Sequence, residues 1–447
     1  MLFVVGRAFL LHGFFRRRGS RQDKCEGGSS VGSASKVVRT LALGAVCLAL
    51  PVASAGQEAE RMAIEQMGGQ APEGMAEIHG VSAGGFHPEH WMQDTLHFLP
   101  DYRSPLLEPR WDGVYRNIYA PSVVKEAGGF RLFYGAWDGT DTGHDNIYCV
   151  DTDDFLTFHG RRTLIHHNVF THVCNVNVSR LPGGEYRMMC TAYPDEHGRN
   201  KPITFSSPDG ERWNGEPAPY KAQMSDLVSI EGYEGYANAD INGMNVLFYE
   251  DEKFYLYFND FQRFGSVYRA WGKDGKHFQF EGPVLEAAAV VNDVKKFVVS
   301  GQAYYLMGLH MNGQTLYCSL SRDGRTFEPV RTLGSNQGDA DRYIVSIGWV
   351  VDGERLLGYL YGAGAAPELN RNRIFARWLQ KKVVFVDREG KRYAPSCSLG
   401  PDRQFIPVPS SGRVQGHFEV YAEDGLTKLA EGLPATLTAG GVYRLSR

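Results

Sequence analysis

Three aspartates, Asp112, Asp240 and Asp293, lie just before runs of alternating Val, Leu, Phe and Tyr that predict β-strands. Two carboxylates in an apolar, aromatic pocket can cleave a glycosidic bond when burial keeps one protonated and the other stays ionised. Each aspartate also has a structural interpretation, since Asp112-Gly113 can form a turn and Asp240 and Asp293 can cap loops. The three are therefore candidate catalytic residues.

Aromatic and polar side chains near the same strands are candidates for binding a substrate. A sugar ring can stack on an aromatic face, although most aromatic residues, which make up 12% of the chain, are expected to pack the strands. Asp341 and Arg342 can form an ion pair at a pocket or lie in a solvated loop. The predicted substrate-binding residues are Trp111, Tyr119, Trp137, His172, Asn242, Asp341 and Arg342.

Histidine and cysteine spacing predicts neither a metal site nor a cofactor. His166, His167 and His172 lie close together, but no second group of ligands accompanies them, so we interpret them as ordinary loop histidines. The body of the chain holds an odd number of cysteines, several in strand-like runs, which favours buried thiols over a disulfide framework. These cysteines are Cys149, Cys174, Cys190, Cys318 and Cys397.

A short motif, in which an Asp precedes an aromatic residue by four positions, recurs four times. Its Asp residues are Asp154, Asp209, Asp274 and Asp323, with separations of 55 (209 − 154), 65 (274 − 209) and 49 (323 − 274) residues. Asp and Gly form a tight turn here, because Asp bonds nearby backbone and Gly accepts a positive φ. A repeat of this length is typical of propeller blades.

Around these turns, five strand-rich units predict an all-β, five-bladed β-propeller over residues 95–387. The units are 122–134, 177–189, 245–257, 294–306 and 344–360. The inner strands of a propeller converge on one axial pocket, so residues just before them meet in space. We expect a flexible segment over 56–94 and a small C-terminal β appendage, or β domain, over 388–447.

The Pro121-Ser-Val-Val opening, its Gly-Gly turn and Tyr-rich strand, and the Asp-Gly-x-x-aromatic hairpins resemble the five-bladed glycoside hydrolases of families 43 and 32. The resemblance covers roughly residues 95–385. It implies a glycosidase with three carboxylates at the starts of blades: a base or nucleophile, an orienting Asp and a general acid. The first normally stands in an Asp-Pro step, which is Ala120-Pro121 here, so Asp112 is the residue expected to replace it.

Charge and hydropathy predict an exported protein. Residues 1–55 hold eight Lys and Arg against Asp23 and Glu26, a balance of +6, which leaves −10 of the total charge of −4 for the rest. An acidic body disfavours nucleic acid as a partner. Residues 36–55 have the charged start, short apolar run and small-residue cleavage site of a signal peptide, which predicts secretion or a periplasmic location and no membrane span after cleavage. An uncleaved anchor is the alternative.

The leading interpretation is therefore an exported glycoside hydrolase that acts on an oligo- or polysaccharide. A non-catalytic carbohydrate-binding propeller is the main alternative, because the Asp-Pro step is missing. A sialidase-like six-bladed enzyme and a protein-interaction scaffold are further alternatives, since fold does not dictate function.

Overall fold

The computed structural model describes residues 62–92, 96–109, 117–138, 143–194, 199–367 and 371–446. Strands dominate this part of the chain, and its one α-helix is Pro88–Met92. The prediction of an all-β protein is confirmed. Short 3₁₀ turns lie at Met224–Asp226, Tyr236–Asn238, Phe261–Arg263 and Gly400–Asp402. Within the described ranges, no helix is long and apolar enough to cross a membrane.

Five mainly antiparallel sheets follow one another along the chain and are called sheets 1 to 5. Sheet 1 contains Ile118–Lys125, Phe130–Ala136, Asn146–Thr152, His159–His166 and Tyr220–Lys221. Sheet 2 contains His172–Arg180, Tyr186–Tyr193 and Lys201–Ser207, and is followed by the hairpin Arg212–Trp213 and Glu216–Pro217. Sheet 3 contains Ser229–Glu231, Val246–Glu250, Lys253–Phe258, Ser266–Gly272 and His277–Glu286. Sheet 4 contains Val290–Val299, Gln302–His310, Thr315–Ser321 and Arg331–Ser335. Sheet 5 contains Phe98–Pro100, Tyr343–Asp352, Arg355–Gly364 and Arg373–Leu379.

One strand of each sheet contacts its counterpart in the next sheet. These inner strands are Ile118–Lys125, His172–Arg180, Val246–Glu250, Val290–Val299 and Tyr343–Asp352. The inner strand of sheet 5 also contacts that of sheet 1, so the series of contacts closes on itself. The starts of the inner strands are thereby brought together.

Buried polar side chains join the inner strands where no ladder of backbone hydrogen bonds does. The Asn177 amide donates to Asp293 Oδ1 at 3.2 Å, which links sheets 2 and 4. Ser122 Oγ accepts the backbone N–H of Val178 at 3.0 Å, and Ser346 Oγ accepts that of Ala120 at 3.0 Å. Each of these polar groups is satisfied within the protein, as burial requires.

The N-terminal strand Phe98–Pro100 completes sheet 5 by pairing with Arg373–Leu379. Just after it, Asp101 accepts hydrogen bonds from Trp378 Nε1 at 2.9 Å and from Arg103 at 2.7 Å. Burial opposes the ionisation of Asp101, but these donors lower its pKa. An early and a late part of the chain are thus held together by a charged, hydrogen-bonded link.

The recurring Asp-aromatic motif forms turns at the outer strands, as predicted. Asp209 Oδ1 accepts the backbone N–H groups of Glu211 and Arg212 at 2.9 and 2.8 Å. The N–H groups of Arg212 and Glu211 lower the pKa of Asp209 to about 2. Asp274 and Asp323 accept equivalent pairs of N–H groups.

The ends of the described chain form two further sheets around one core. Sheet 6 contains Ala63–Met67, Met75–His79, Cys397–Leu399, Arg403–Pro407 and Val442–Ser446. Sheet 7 contains Lys382–Asp387, Arg392–Tyr393, Arg413–Tyr421 and Lys428–Thr438. The expectation of a flexible segment over 56–94 is wrong for the strands in 62–92. They are ordered because their backbone groups pair with C-terminal strands that a local sequence pattern does not reveal.

Candidate active site

The starts of the inner strands are shaped by β-bulges. Four of the inner strands break register near their first residues, at Tyr119/Ser122, Cys174/Asn177, Val291/Asp293 and Ile344/Ser346. Ala120 and Asn175 have positive φ values of 54° and 55° within two of these breaks. A bulge re-aims the side chains beside it, and bulges are common next to active sites. The connection between the second and third strands of sheet 1 lies at the same end, because neighbouring strands run antiparallel.

Four of the predicted substrate-binding residues come together at this end. The rings of Trp137 and His172 stack with centroids 6.2 Å apart, and His172 meets Tyr193 edge to face at 5.4 Å. Tyr193 donates its hydroxyl proton to Asn242 Oδ1 at 2.6 Å. Tyr119 joins the group through the buried thiol of Cys174, which lies close enough to both tyrosines to affect their pKa. Aromatic faces and amide groups are thus available to a sugar.

Asp145 is a carboxylate in this group that sequence reasoning missed. It is only 4% exposed, and its Oδ2 lies 3.1 Å from His172 Nδ1. Its other oxygen, Oδ1, is buried with no hydrogen-bond partner among the described residues. Such an oxygen costs about 1–3 kcal/mol, which a water or a substrate hydroxyl would recover.

The two tyrosines and the cysteine beside Asp145 are neutral. Burial raises the pKa of Tyr119, Tyr193 and Cys174 well above their ordinary values, and the negative charge of Asp145 raises them further. The two hydroxyls and the thiol therefore stay protonated. They can act as hydrogen-bond donors but not as bases.

Asp240, a predicted catalytic residue, lies beside this group, close enough for its charge to raise the pKa of Tyr193. Asn200 donates to Asp240 Oδ1 from its side chain at 2.7 Å and from its backbone at 3.3 Å. Burial raises the pKa of Asp240, the Asn200 bonds oppose the rise, and the charge of Asp260 adds to it. A carboxyl with a raised pKa is suited to donate a proton.

Asp260 holds the segment around Asp240 in place. This buried carboxylate accepts the backbone N–H of Asp240 at 3.1 Å and that of Gln262 at 2.9 Å through Oδ1. Its Oδ2 accepts the hydroxyl of Tyr233 at 2.8 Å. The position of Asp240 is thus fixed from its backbone as well as from its side chain.

Asp293, by contrast, lies among the buried ties between the inner strands. It is 1% exposed, and its Oδ1 accepts from Asn177, from the Val294 backbone and from Lys295 Nζ, the last at 3.0 Å. Its Oδ2 accepts the backbone N–H of Trp349 at 2.9 Å. A carboxylate held by donors at both oxygens joins strands, so we assign no proton transfer to Asp293.

The remaining predicted residues do not join the group. Asp341 is buried, but it accepts the backbone N–H groups of Gln337 and Gly338 at 3.0 Å and the hydroxyl of Tyr361 at 2.9 Å. Arg342 is exposed. Asp341 therefore anchors its own loop. Asp112 and Trp111 lie outside the described residues.

A row of histidines extends from the group: His144 lies next to His172, His167 next to His144, and His166 next to His167. No three His, Cys, Asp or Glu side chains of the described ranges are arranged to hold a metal ion. His144 and Asp145 could have been found from the sequence, because they end the loop that enters the third strand of sheet 1. Tyr193 offered no signal, since it ends an ordinary strand.

No protein-family model matches the chain, and no curated protein is similar to it. Solved structures are similar. A candidate glycosidase from Bacteroides thetaiotaomicron has 13% identity and a TM-score of 0.46, with 66% of this chain and 99% of that one covered. The catalytic domain of the GH62 α-L-arabinofuranosidase of Coprinopsis cinerea has 14% identity and a TM-score of 0.43, with 64% and 98% covered. A glycosyl hydrolase from Bacteroides ovatus has 11% identity and a TM-score of 0.43, with 63% and 94% covered.

At these identities and TM-scores, neither residue roles nor substrates transfer to this chain. The solved structures that this chain is similar to are glycoside hydrolases.

Proposed function

We propose that this protein is a glycoside hydrolase whose catalytic carboxylates are Asp145 and Asp240. The observation that supports this most is the buried, unpartnered Oδ1 of Asp145 beside the Trp137–His172 stack. A native protein keeps such a group where a ligand or a water completes its hydrogen bonds. Aromatic rings beside a carboxylate fit a sugar better than they fit a polyanion.

The two carboxyl groups would have different roles. Asp240, with its raised pKa, donates a proton to the glycosidic oxygen as the C–O bond breaks. Asp145, whose Oδ2 lies 3.1 Å from His172 Nδ1, acts as the carboxylate that attacks the sugar or activates a water. His172 positions Asp145.

This arrangement explains how a hydrolase can function without the Asp-Pro step. Ala120 stands where the resemblance implies the first carboxylate, and its methyl group cannot act as a base. Asp145 comes from the neighbouring connection of the same sheet and lies close enough to raise the pKa of Tyr119. We infer that it replaces the missing residue, a role that the sequence alone led us to expect of Asp112.

We also propose the wider architecture and location. Sheets 1 to 5 form the blades of a five-bladed propeller over 95–387, and residues 388–447 form a small β domain, to which the strands of 62–79 are added. Residues 36–55 act as a signal peptide, so the enzyme works outside the cytoplasm on an oligo- or polysaccharide.

The test is a screen of polysaccharides and chromogenic glycosides, followed by Asp145→Asn and Asp240→Asn. Each variant should lose at least about a hundredfold in kcat/KM while it keeps its fold by circular dichroism. Asp339→Asn, in an exposed loop, is the matched control. Undiminished activity in Asp145→Asn would overturn the assignment of Asp145. Glycan binding without any hydrolysis by the wild type would favour the carbohydrate-binding alternative.

A further inference from the structure

We propose that His144, His166 and His167, with Lys221, form a subsite for the carboxylate of an acidic sugar, such as a uronic acid unit, next to the catalytic pocket. This acidic-sugar subsite rests on the proposed function, because it names the substrate class of the same site. Nothing in the residue pattern of the sequence had assigned these histidines a role.

The subsite is continuous with the pocket. The rings of His166 and His167 have centroids 4.5 Å apart, and those of His167 and His144 are 4.7 Å apart. His144 lies 5.7 Å from His172, which stacks on Trp137. A chain of imidazoles therefore leads from the proposed stacking platform to the strand that carries Lys221, which pairs with His166.

Hydrogen bonds fix which nitrogen of each ring is available. Nδ1 of His144 lies 2.8 Å from the carbonyl oxygen of Thr171, and Nδ1 of His167 lies 2.7 Å from that of Phe170. A carbonyl oxygen only accepts, so both Nδ1 atoms carry hydrogen. In the neutral rings each Nε2 is then an acceptor, and protonation turns it into a donor. An anion would therefore favour the protonated rings.

The loop that bears these rings is well held. The backbone N–H of His167 donates to Asn146 Oδ1 at 2.9 Å, and the Asn168 side chain donates to the carbonyl of Ala222 at 3.0 Å. Asn168 also donates its backbone N–H to His166 Nδ1 at 3.0 Å. All three rings of the subsite remain half-buried and are thus reachable from solvent.

The titratable side chains that face the subsite are mostly basic ones, namely histidines and Lys221. Burial lowers the pKa of His166, and the charges of Lys221 and His144 lower it further. Burial likewise lowers the pKa of His167. The hydrogen bond to the Phe170 carbonyl raises this pKa, whereas the nearby His166, His144 and His172 lower it further. Asp145 lies on the far side, against His172, with Tyr193 edge-on to that ring. A bound carboxylate would stabilise the protonated form of these rings and would therefore be taken up together with a proton.

The affinity should therefore rise as the pH falls. We would titrate the full chain with glucuronate and galacturonate, and with glucose and galactose as neutral matches, by calorimetry at pH 5 and pH 8. The uronates should bind about tenfold more tightly at pH 5, whereas the neutral sugars should show no such change. Buffers of different ionisation enthalpy should reveal proton uptake at the lower pH.

The double variant His166→Gln/His167→Gln should lose the pH dependence. His159→Gln, at the exposed opposite end of the same strand, is the matched control and should keep it. Equal binding of uronates and neutral sugars, or pH-dependent binding that survives in the double variant, would overturn the proposal. Inorganic sulfate is titrated in the same way as a further probe. If sulfate binds while glucuronate binds no better than glucose, the acidic-sugar subsite is also refuted.

These monosaccharides contain no glycosidic bond, so the measurement does not depend on hydrolysis. Should the enzyme cleave no glycan while uronate binding behaves as described, the proposed function would fail and the acidic-sugar subsite would stand. If the enzyme hydrolyses neutral glycans and binds no uronate, the proposed function would stand and the acidic-sugar subsite would fail.

Discussion

Asp145 and His172 meet at 3.1 Å between Oδ2 and Nδ1, and the backbone N–H of Asp145 lies 3.0 Å from the same nitrogen. His172 is thereby held at two points by one residue, and its ring is fixed between Trp137 and Tyr193. The orientation of this imidazole is consequently set by Asp145 together with the two aromatic rings.

We expect His172→Phe to keep the ring stack but to remove the polar contact with Asp145. Asp145 would then be buried with both oxygens unpaired, so the free energy of unfolding should fall by about 1–3 kcal/mol. Chemical denaturation measures this loss, and the pH profile of kcat/KM should shift on its acidic or basic limb. His159→Phe serves as control, and a stability loss of equal size there would speak against the coupling.

The raised pKa of Asp240 makes stability depend on pH in a definite direction. Because the carboxyl binds its proton more tightly in the folded chain than in the unfolded one, its contribution is full below the unfolded pKa and is lost as pH rises through the folded pKa. Asp240→Asn removes this dependence. The Tm of the variant relative to wild type should therefore increase between pH 4 and pH 7, and a constant difference would contradict the raised pKa.

Asp260→Ala should loosen the segment that carries Asp240. Its carboxylate accepts three hydrogen bonds, so we expect a loss of about 2–4 kcal/mol together with reduced kcat. Tyr233→Phe deletes only one of these bonds and should cost about 0.5–1.5 kcal/mol. Equal losses in urea titrations of the two variants would show that the backbone contacts do not matter.

Substitutions of Asp293 can distinguish a structural role of this residue from a catalytic one. If it ties the inner strands, Asp293→Ala should cost about 3–5 kcal/mol, since Lys295 loses its partner in a buried setting. The isosteric Asp293→Asn should lower Tm while the folded fraction keeps most of its kcat. A stable Asp293→Asn protein with no activity would restore the catalytic role that its sequence position suggested.

More of the fold than of the candidate site could be predicted from the sequence. The Asp209, Asp274 and Asp323 turns were predictable because Asp-Gly chemistry is local, and so was the β-rich repeat. Asn242 and His172 were predictable because they precede inner strands. Asp145 precedes the third strand of sheet 1 and could have been considered on that ground, but its importance arises from contacts with a residue of another sheet, His172, which the sequence does not show. The pairing of Ala63–Met67 with Val442–Ser446 was equally hidden, since no local pattern encodes a partner at the other end of the chain.

The link between Asp101 and Trp378 joins residues 277 positions apart. The strand Phe98–Pro100 pairs in its sheet with Arg373–Leu379. The sheet therefore cannot be completed during synthesis until the chain has been made at least as far as Leu379. Contacts of such long sequence separation slow folding and make it cooperative. We expect a chain truncated before Arg373 to form no stable ring of sheets, so the proposed catalytic pocket would form only after sheet 5 has been completed.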